Sequence, residues 1–205
     1  MSLIPQIRVL VNRLPYIDKW QAYQSGRKRV AFLKEVIPKH GVGAEIGVFK
    51  GYFSPFLLDL TSPKKLHLID PWYLLGEEWC WASGSRSTAK ALARIVRENS
   101  HDLAGGKVVL NIGDDLKVLE TFTVGYFDWV YLDTTHSYEQ TVKELALLQS
   151  RVSRHGVIAG DDWHSDPSHR HHGVCRAVRE FAKREGYEIV YSSDADWQWA
   201  IKPAA

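Results

Sequence analysis

Long apolar runs are missing from this 205-residue chain. No stretch reaches the roughly 18 uncharged apolar residues that a membrane-spanning helix needs, so no membrane partner is expected. Cysteine is scarce: two thiols, Cys80 and Cys175, stand far apart in sequence, which fits a reducing compartment and excludes a disulfide-built scaffold. Neither sign of charge dominates, with 26 Lys plus Arg against 24 acids and a formal net charge of +2. That balance gives no nucleic-acid footprint. Internal repeats and low-complexity tracts are absent as well, and so is the G-x-G-x-x-G fingerprint of dinucleotide binders, because Gly41 and Gly43 precede the first strand instead of following it. The first 15 residues carry Pro and Arg inside a short apolar stretch and no small-residue cleavage site, so they do not read as a signal peptide and a cytoplasmic location is expected.

What is present is 45% apolar and 12% aromatic residues, enough for a packed core. Short β-rich runs alternate with helical patterns, the mark of a parallel sheet covered by helices. Residues 1–40 read as an N-terminal helical arm or lid, and 41–205 as the main domain. In the arm, Val30, Leu33, Val36 and Ile37 recur at helical spacing. The tight basic cluster Arg27-Lys28-Arg29 reads as a solvated helix face. Strands are expected at Val42 to Val48, Lys65 to Ile69, Val108 to Ile112, Phe127 to Leu132 and Gly156 to Ala159. Ser54-Pro55 looks like a polar cap with proline in the first helical turn. A long irregular stretch, Trp72 to Ser87, holds Trp72, Trp79 and Trp81 and is functional or mobile by its length. Two last strands, Tyr187 to Tyr191 and Trp197 to Ile201, are joined at hairpin length and should be antiparallel.

In open α/β sheets ligands bind outside the carboxyl ends of the strands, so the residues that end the strands matter most. Glu45-Ile46-Gly47-Val48 through Gly51 follows the first strand, with glycines that permit close backbone approach. Asp70 ends the second strand, where a carboxylate can accept from both hydroxyls of a ribose or cap a helix. Gly113-Asp114-Asp115 either caps the next helix or faces an adenine ring. Asp133-Thr134-Thr135-His136 and Asp161-Asp162 end adjacent buried runs. Three carboxylates brought together repel one another unless a cation neutralises them, and oxygen ligands suit Mg²⁺, Mn²⁺ or Ca²⁺. His136 could then act as a general base. The loop with His164, His169, His171 and His172 lacks cysteines and a regular i, i+4 helical pair, so a polar, substrate-facing or disordered loop is expected there in preference to a zinc centre.

These residues resemble the class I S-adenosylmethionine-dependent methyltransferases, and within them the metal-dependent O-methyltransferases of sugars and other small hydroxylated molecules. The resemblance runs from Val42 to Ile201 and rests on the motifs just given together with Ile69-Asp70-Pro71-Trp72, Gly160-Asp161-Asp162-Trp163 and Gly173-Val174. It implies a Rossmann-like α/β fold, a mostly parallel seven-stranded sheet with a C-terminal antiparallel hairpin. It places Glu45, Gly47 and Gly51 around the methionine part of S-adenosylmethionine, Asp70 on the ribose, and Gly113, Asp114 and Asp115 near the adenine. It makes Asp133, Asp161 and Asp162 the ligands of Mg²⁺ or a similar ion and His136 the base, with Asp133 beside it in the catalytic set. Two departures stand out: Phe49 where many members have glycine, and Thr134-Thr135 in place of a glycine-containing pair. The expected partner is a small hydroxylated acceptor, and a homo-oligomer through the N-terminal arm is left open. A metal-dependent hydrolase on the same fold and a non-catalytic cofactor-binding protein are the rival readings.

Overall fold

The structure is a computed structural model that describes residues 15–72 and 85–204. Trp79, Trp81, Cys80 and the arm before Pro15 lie outside the described residues. Chain order is α1 (Pro15–Val36), β1 (Val42–Ile46), α2 (Ser54–Thr61), β2 (Lys65–Asp70), α3 (Ser85–Glu98), α4 (Ser100–Ala104), β3 (Val108–Ile112), α5 (Asp115–Glu120), β4 (Phe127–Leu132), α6 (Tyr138–Arg151), β5 (Val152–Gly160), α7 (His172–Glu185), β6 (Tyr187–Ser193) and β7 (Gln198–Pro203). The strands form one sheet in the order β3-β2-β1-β4-β5-β7-β6. Pairing from β3 through β5 is parallel, and β7 runs antiparallel to both β5 and β6. The expected seven-stranded α/β sheet with its reversed C-terminal strand is what the chain forms.

Side chains alternate across the strands and divide the core in two. Ala44, Ile46, Val130, Leu132 and Ile158 pack beneath Leu145 and Leu148 of α6 and Val174, Val178 and Phe181 of α7. Leu66, Leu68, Trp129, Tyr131 and Val157 face the other way, onto Phe32 and Leu33 of α1, Leu57 of α2 and Ile95 of α3. The stripe read in the arm is therefore core: Leu33 and Ile37 are buried, and the Phe32 ring stacks on Tyr191 at 4.4 Å between centroids. The helix itself reaches back to Pro15, further than the spacing of its apolar residues alone predicts.

Local expectations change at β5 and at the start of α2, while β1 ends at Ile46 instead of Val48 and α3 begins at Ser85, inside the stretch read as irregular. β5 begins at Val152, not Gly156, because its register against β4 shifts between Phe127 and Trp129, so that Phe127 pairs with Val152 and Trp129 with Val157. The looped-out residues, including exposed Arg154 and His155, break the apolar pattern without ending the strand. Ser54 does not cap α2: Phe53 holds the N-cap position with no side-chain bond, although proline does sit in the first turn.

Gly47, with φ of +85°, lets the loop after β1 lie against β4, since a Cβ there would overlap the Asp133 carbonyl. Gly47→Ala is expected to cost about 3 kcal/mol through this backbone clash and the left-handed φ. Thermal unfolding reads it as a fall of roughly 6 to 12 °C.

Candidate active site

The strand order reverses between β1 and β4, which opens a crevice at their carboxyl ends. The ladder continues past the last strand residues there. Gly47 N–H donates to the Ile69 carbonyl at 3.0 Å, Asp133 N–H to Ile46 at 2.8 Å and Asp161 N–H to Leu132 at 3.0 Å. One further residue of each strand is thus held in register, and the period of two puts Glu45, Asp133 and Asp161 on the sheet face that packs α1.

Arg29 of α1 meets them. Its Nη1 donates to Asp133 Oδ2 at 2.6 Å and its Nη2 to Asp161 Oδ2, while the guanidinium lies 5.2 Å from the Phe53 ring centroid and 5.9 Å from that of Tyr131. The basic cluster therefore splits. Arg27 and Lys28 are exposed as expected, but the Arg29 side chain is only 18% exposed. It stands three and four residues before buried Phe32 and Leu33 and so shares their helix face. Asp161 also accepts from Gln198 Nε2, and Gln198 Oε1 accepts from the Tyr131 hydroxyl at 2.7 Å. Burial pushes the Asp161 carboxyl up to about 7, with Asp133 adding to the rise and Arg29 opposing it.

Glu45 is 2% exposed, and burial pushes its carboxyl up to about 8 against the pull of the Ser54 hydroxyl, which donates to it at 2.6 Å. That bond is where the Ser54 side chain goes instead of capping α2. Asp70 closes the neighbouring loop: its Oδ2 accepts from Phe49 N–H at 2.8 Å and its Oδ1 from Trp72 N–H at 2.7 Å. Phe49, at the position where relatives of the expected family carry glycine, adopts φ of +47° all the same, and the Trp72 indole donates to its carbonyl at 2.9 Å. Gly51 has φ of +63°. Gly113 N–H donates to the Asp70 carbonyl at 3.2 Å, tying the end of β3 to β2. Asp114 caps α5, accepting from Lys117 N–H at 3.2 Å, one of the two roles open to it. Asp115 takes two bonds from Gln140 Nε2, at 3.1 and 3.0 Å, and lies beside buried Glu144, whose carboxyl is raised by burial first and by Asp115 second.

Asp162 and His136 face each other. Both have positive φ, 62° and 60°, and His136 Nδ1 pairs with Asp162 Oδ2. Burial works against the charge on each, but the bond between them prevails: Asp162 is held below its usual range and His136 above its own. His164 and His171 stand 3.9 and 3.8 Å from the other Asp162 oxygen, so the histidine-rich loop does reach the site. A recess lined by Thr134, His136, Glu144, Asp161 and Trp199 opens beside the pair.

Sequence reasoning brought Glu45, Asp70, Asp133, His136, Asp161 and Asp162 to this edge. It missed Arg29, Tyr131, Glu144 and Gln198. Glu144 had a signal, since it falls in the buried stripe Thr141, Leu145, Leu148 of α6. Tyr131 and Gln198 had none, because their partnership joins distant segments.

A family model described as a methyltransferase domain matches residues 44–163, which spans β1 through the Asp161-Asp162 turn. The chain belongs to the methyltransferase-domain family. Together with its fold, this makes it a class I, S-adenosylmethionine-dependent methyltransferase. No curated protein matches. Among solved structures, a Corynebacterium glutamicum protein is 13% identical with a TM-score of 0.59 and covers 100% of this chain and 98% of its own. An SAH-bound Podospora anserina methyltransferase is 15% identical, TM-score 0.57, over 95% of this chain and 84% of its own. An O-methyltransferase family protein of Burkholderia thailandensis is 13% identical, TM-score 0.58, over 92% of this chain and 59% of its own. At these identities the likeness is one of fold.

The methyltransferase should lose stability as pH rises through its buried acid. Glu45 is neutral in the folded state up to about 8 but ionises near its ordinary value of 4.5 when unfolded, so the folded state binds the extra proton between those values and stability falls with rising pH. Glu45→Gln keeps an acceptor for Ser54 and removes that slope. Its melting temperature should match that of the native protein near pH 4.5 and exceed it by several degrees at pH 8; thermal melts across this range check it.

Proposed function

We propose that this methyltransferase transfers the sulfonium methyl of S-adenosylmethionine to a hydroxyl oxygen of a small molecule such as a sugar or polyphenol. The observation that carries the reading is the His136–Asp162 pair at the carboxyl edge of the sheet. Asp162 engages Nδ1 of the imidazole, which leaves Nε2 as the atom able to take a proton. Asp162 remains ionised and holds the ring's tautomer and direction, as a carboxylate does for a histidine base.

The step is an in-line displacement. The acceptor oxygen forms a bond to the methyl carbon as the sulfur–methyl bond breaks, the hydroxyl proton passes to His136 Nε2, and S-adenosylhomocysteine leaves with the electron pair on sulfur. Most of the acceleration comes from alignment and from charges already in place. For the cofactor, Glu45, Gly47 and Gly51 would receive the methionine end, Asp70 the ribose, and Gly113, Asp114 and Asp115 the adenine end. The Asp70 oxygens accept backbone N–H groups of Phe49 and Trp72, and a carboxylate keeps further lone pairs for ribose hydroxyls. The named O-methyltransferase and SAH-bound neighbours accord with this reading.

Asp133, Asp161 and Asp162 each offer an oxygen within 4.8 Å of the others, the hard donor type that suits Mg²⁺, Mn²⁺ or Ca²⁺. Two of them are bound to Arg29, so the donors as they stand do not fit a divalent ion, and no step is assigned to one. The balanced charge of +2 supports a small acceptor over a nucleic acid.

The test is calorimetric titration with S-adenosylmethionine followed by a turnover screen over hydroxylated acceptors. His136→Ala should lose on the order of 10²- to 10⁴-fold in kcat, the usual share of a general base, with cofactor affinity unchanged. Undiminished turnover in that variant, or product methylated only on nitrogen, would overturn the assignment. Asp70→Asn should weaken cofactor binding about tenfold, as loss of a charge-assisted acceptor does; an unchanged Kd would remove Asp70 from the ribose.

A further inference from the structure

We infer that Arg29 is the resident cation of the acid cluster, a guanidinium carried by the chain in the position that a divalent ion would take. Asp133 and Asp161 come from parallel neighbours, β4 and β5, and their ladder bonds prevent them from moving apart. Asp161 is 9% exposed, so water screens it poorly from Asp133, and a cation between the two acids offsets their repulsion. A guanidinium suits this position because it is planar, always charged, and presents parallel donors to two carboxylates at once. Arg29 does this with Nη1 on Asp133 and Nη2 on Asp161.

The remaining donors and acceptors close the cluster. Asp161 Oδ1 accepts from Gln198 Nε2, and Asp162 Oδ2 faces His136. Each of the three acids therefore has a partner supplied by the chain, and a divalent ion would have to displace Arg29 to gain the several oxygens it needs. Displacement is opposed by packing. The guanidinium lies near the Phe53 and Tyr131 rings, and the next turn of α1 is anchored by Phe32 and Leu33, 4% and 0% exposed. Arg29 is thus a positioning residue: it holds Asp133 and Asp161 together at the crevice and fixes α1 against the carboxyl edge.

The consequence for turnover rests on the proposed O-methyl transfer, but the inference itself is tested without donor or acceptor. Mn²⁺ uptake is followed by electron paramagnetic resonance in the native protein and in Arg29→Met, each with and without Asp133→Asn, so that only uptake through the acid cluster is counted. The native protein should show no Asp133-dependent uptake up to millimolar Mn²⁺, and Arg29→Met should gain one such site, at least tenfold tighter. Arg29→Gln, which keeps a donor but not the charge, repeats the comparison where Met impairs folding and should gain the same site. Asp133-dependent uptake by the native protein would overturn the inference whatever the variants do, as would folded Arg29 variants that gain no site. S-adenosylmethionine titration of the native protein runs in parallel: loss of binding there counts against the methyl-transfer reading and leaves the Mn²⁺ result standing. Where the inference holds, turnover by the native enzyme is unchanged by a chelator.

Discussion

Carboxylates on adjacent strand ends repel one another, and a positive group between them offsets that repulsion. In this chain the strands cannot yield, because Asp133 and Asp161 are tied by backbone bonds to Ile46 and Leu132. Arg29 resolves the conflict and, in doing so, binds α1 to the sheet at the edge where the crevice opens. The two cores meet the same demand from opposite sides. One packs α6 and α7 behind the acids, and the other packs α1, α2 and α3 in front of them. The charge pairing and the burial of Phe32 and Leu33 act on the same helix, so the geometry of the site and the stability of that layer are coupled.

Environment then divides similar acids into different roles. Asp161 is pushed up to about 7 by burial and by Asp133, while Asp162, next in sequence, is held below its usual range by His136. Adjacent residues on an extended chain point to opposite faces, and the turn in which Asp162 takes φ of 62° aims it at the imidazole. Divergent proton affinities in neighbouring groups are how a single fold separates a fixed charge from an acid–base pair.

How much of this could be read in advance depended on range. Strand ends are local, so Glu45, Asp70, Asp133 and Asp161 could be located from apolar runs that stop in an acid, and the reversed last strand from a hairpin-length connection. Arg29 was hidden among three consecutive basic residues, where charge alone suggests solvent. Its distance from Phe32 and Leu33 held the information, but only a partner on the sheet could decide it, and that partner lies 104 residues away. The Gln198 bridge between Tyr131 and Asp161 also joins segments far apart in sequence, 67 and 37 residues. Ser54 shows the reverse error: a good local signal for a cap was overridden because buried Glu45 needed a donor more than the helix did.

Backbone strain follows the same geography. Among the described residues other than glycine, Phe49, Trp72, His136, Asp162 and Trp197 take positive φ at the carboxyl edge, and His40 and Ser62 at the opposite one. Each such conformation costs about 1 to 3 kcal/mol and persists only where its surroundings over-determine it. Here the compensation is visible. Asp70 accepts from the amides of Phe49 and Trp72, the Trp163 amide donates to the Trp197 carbonyl at 2.8 Å, and Asp162 and His136 hold each other. The carboxylates that burial makes expensive are the same groups that fix the strained turns. Replacing them with apolar residues would relieve the charge cost and release the loops that shape the crevice.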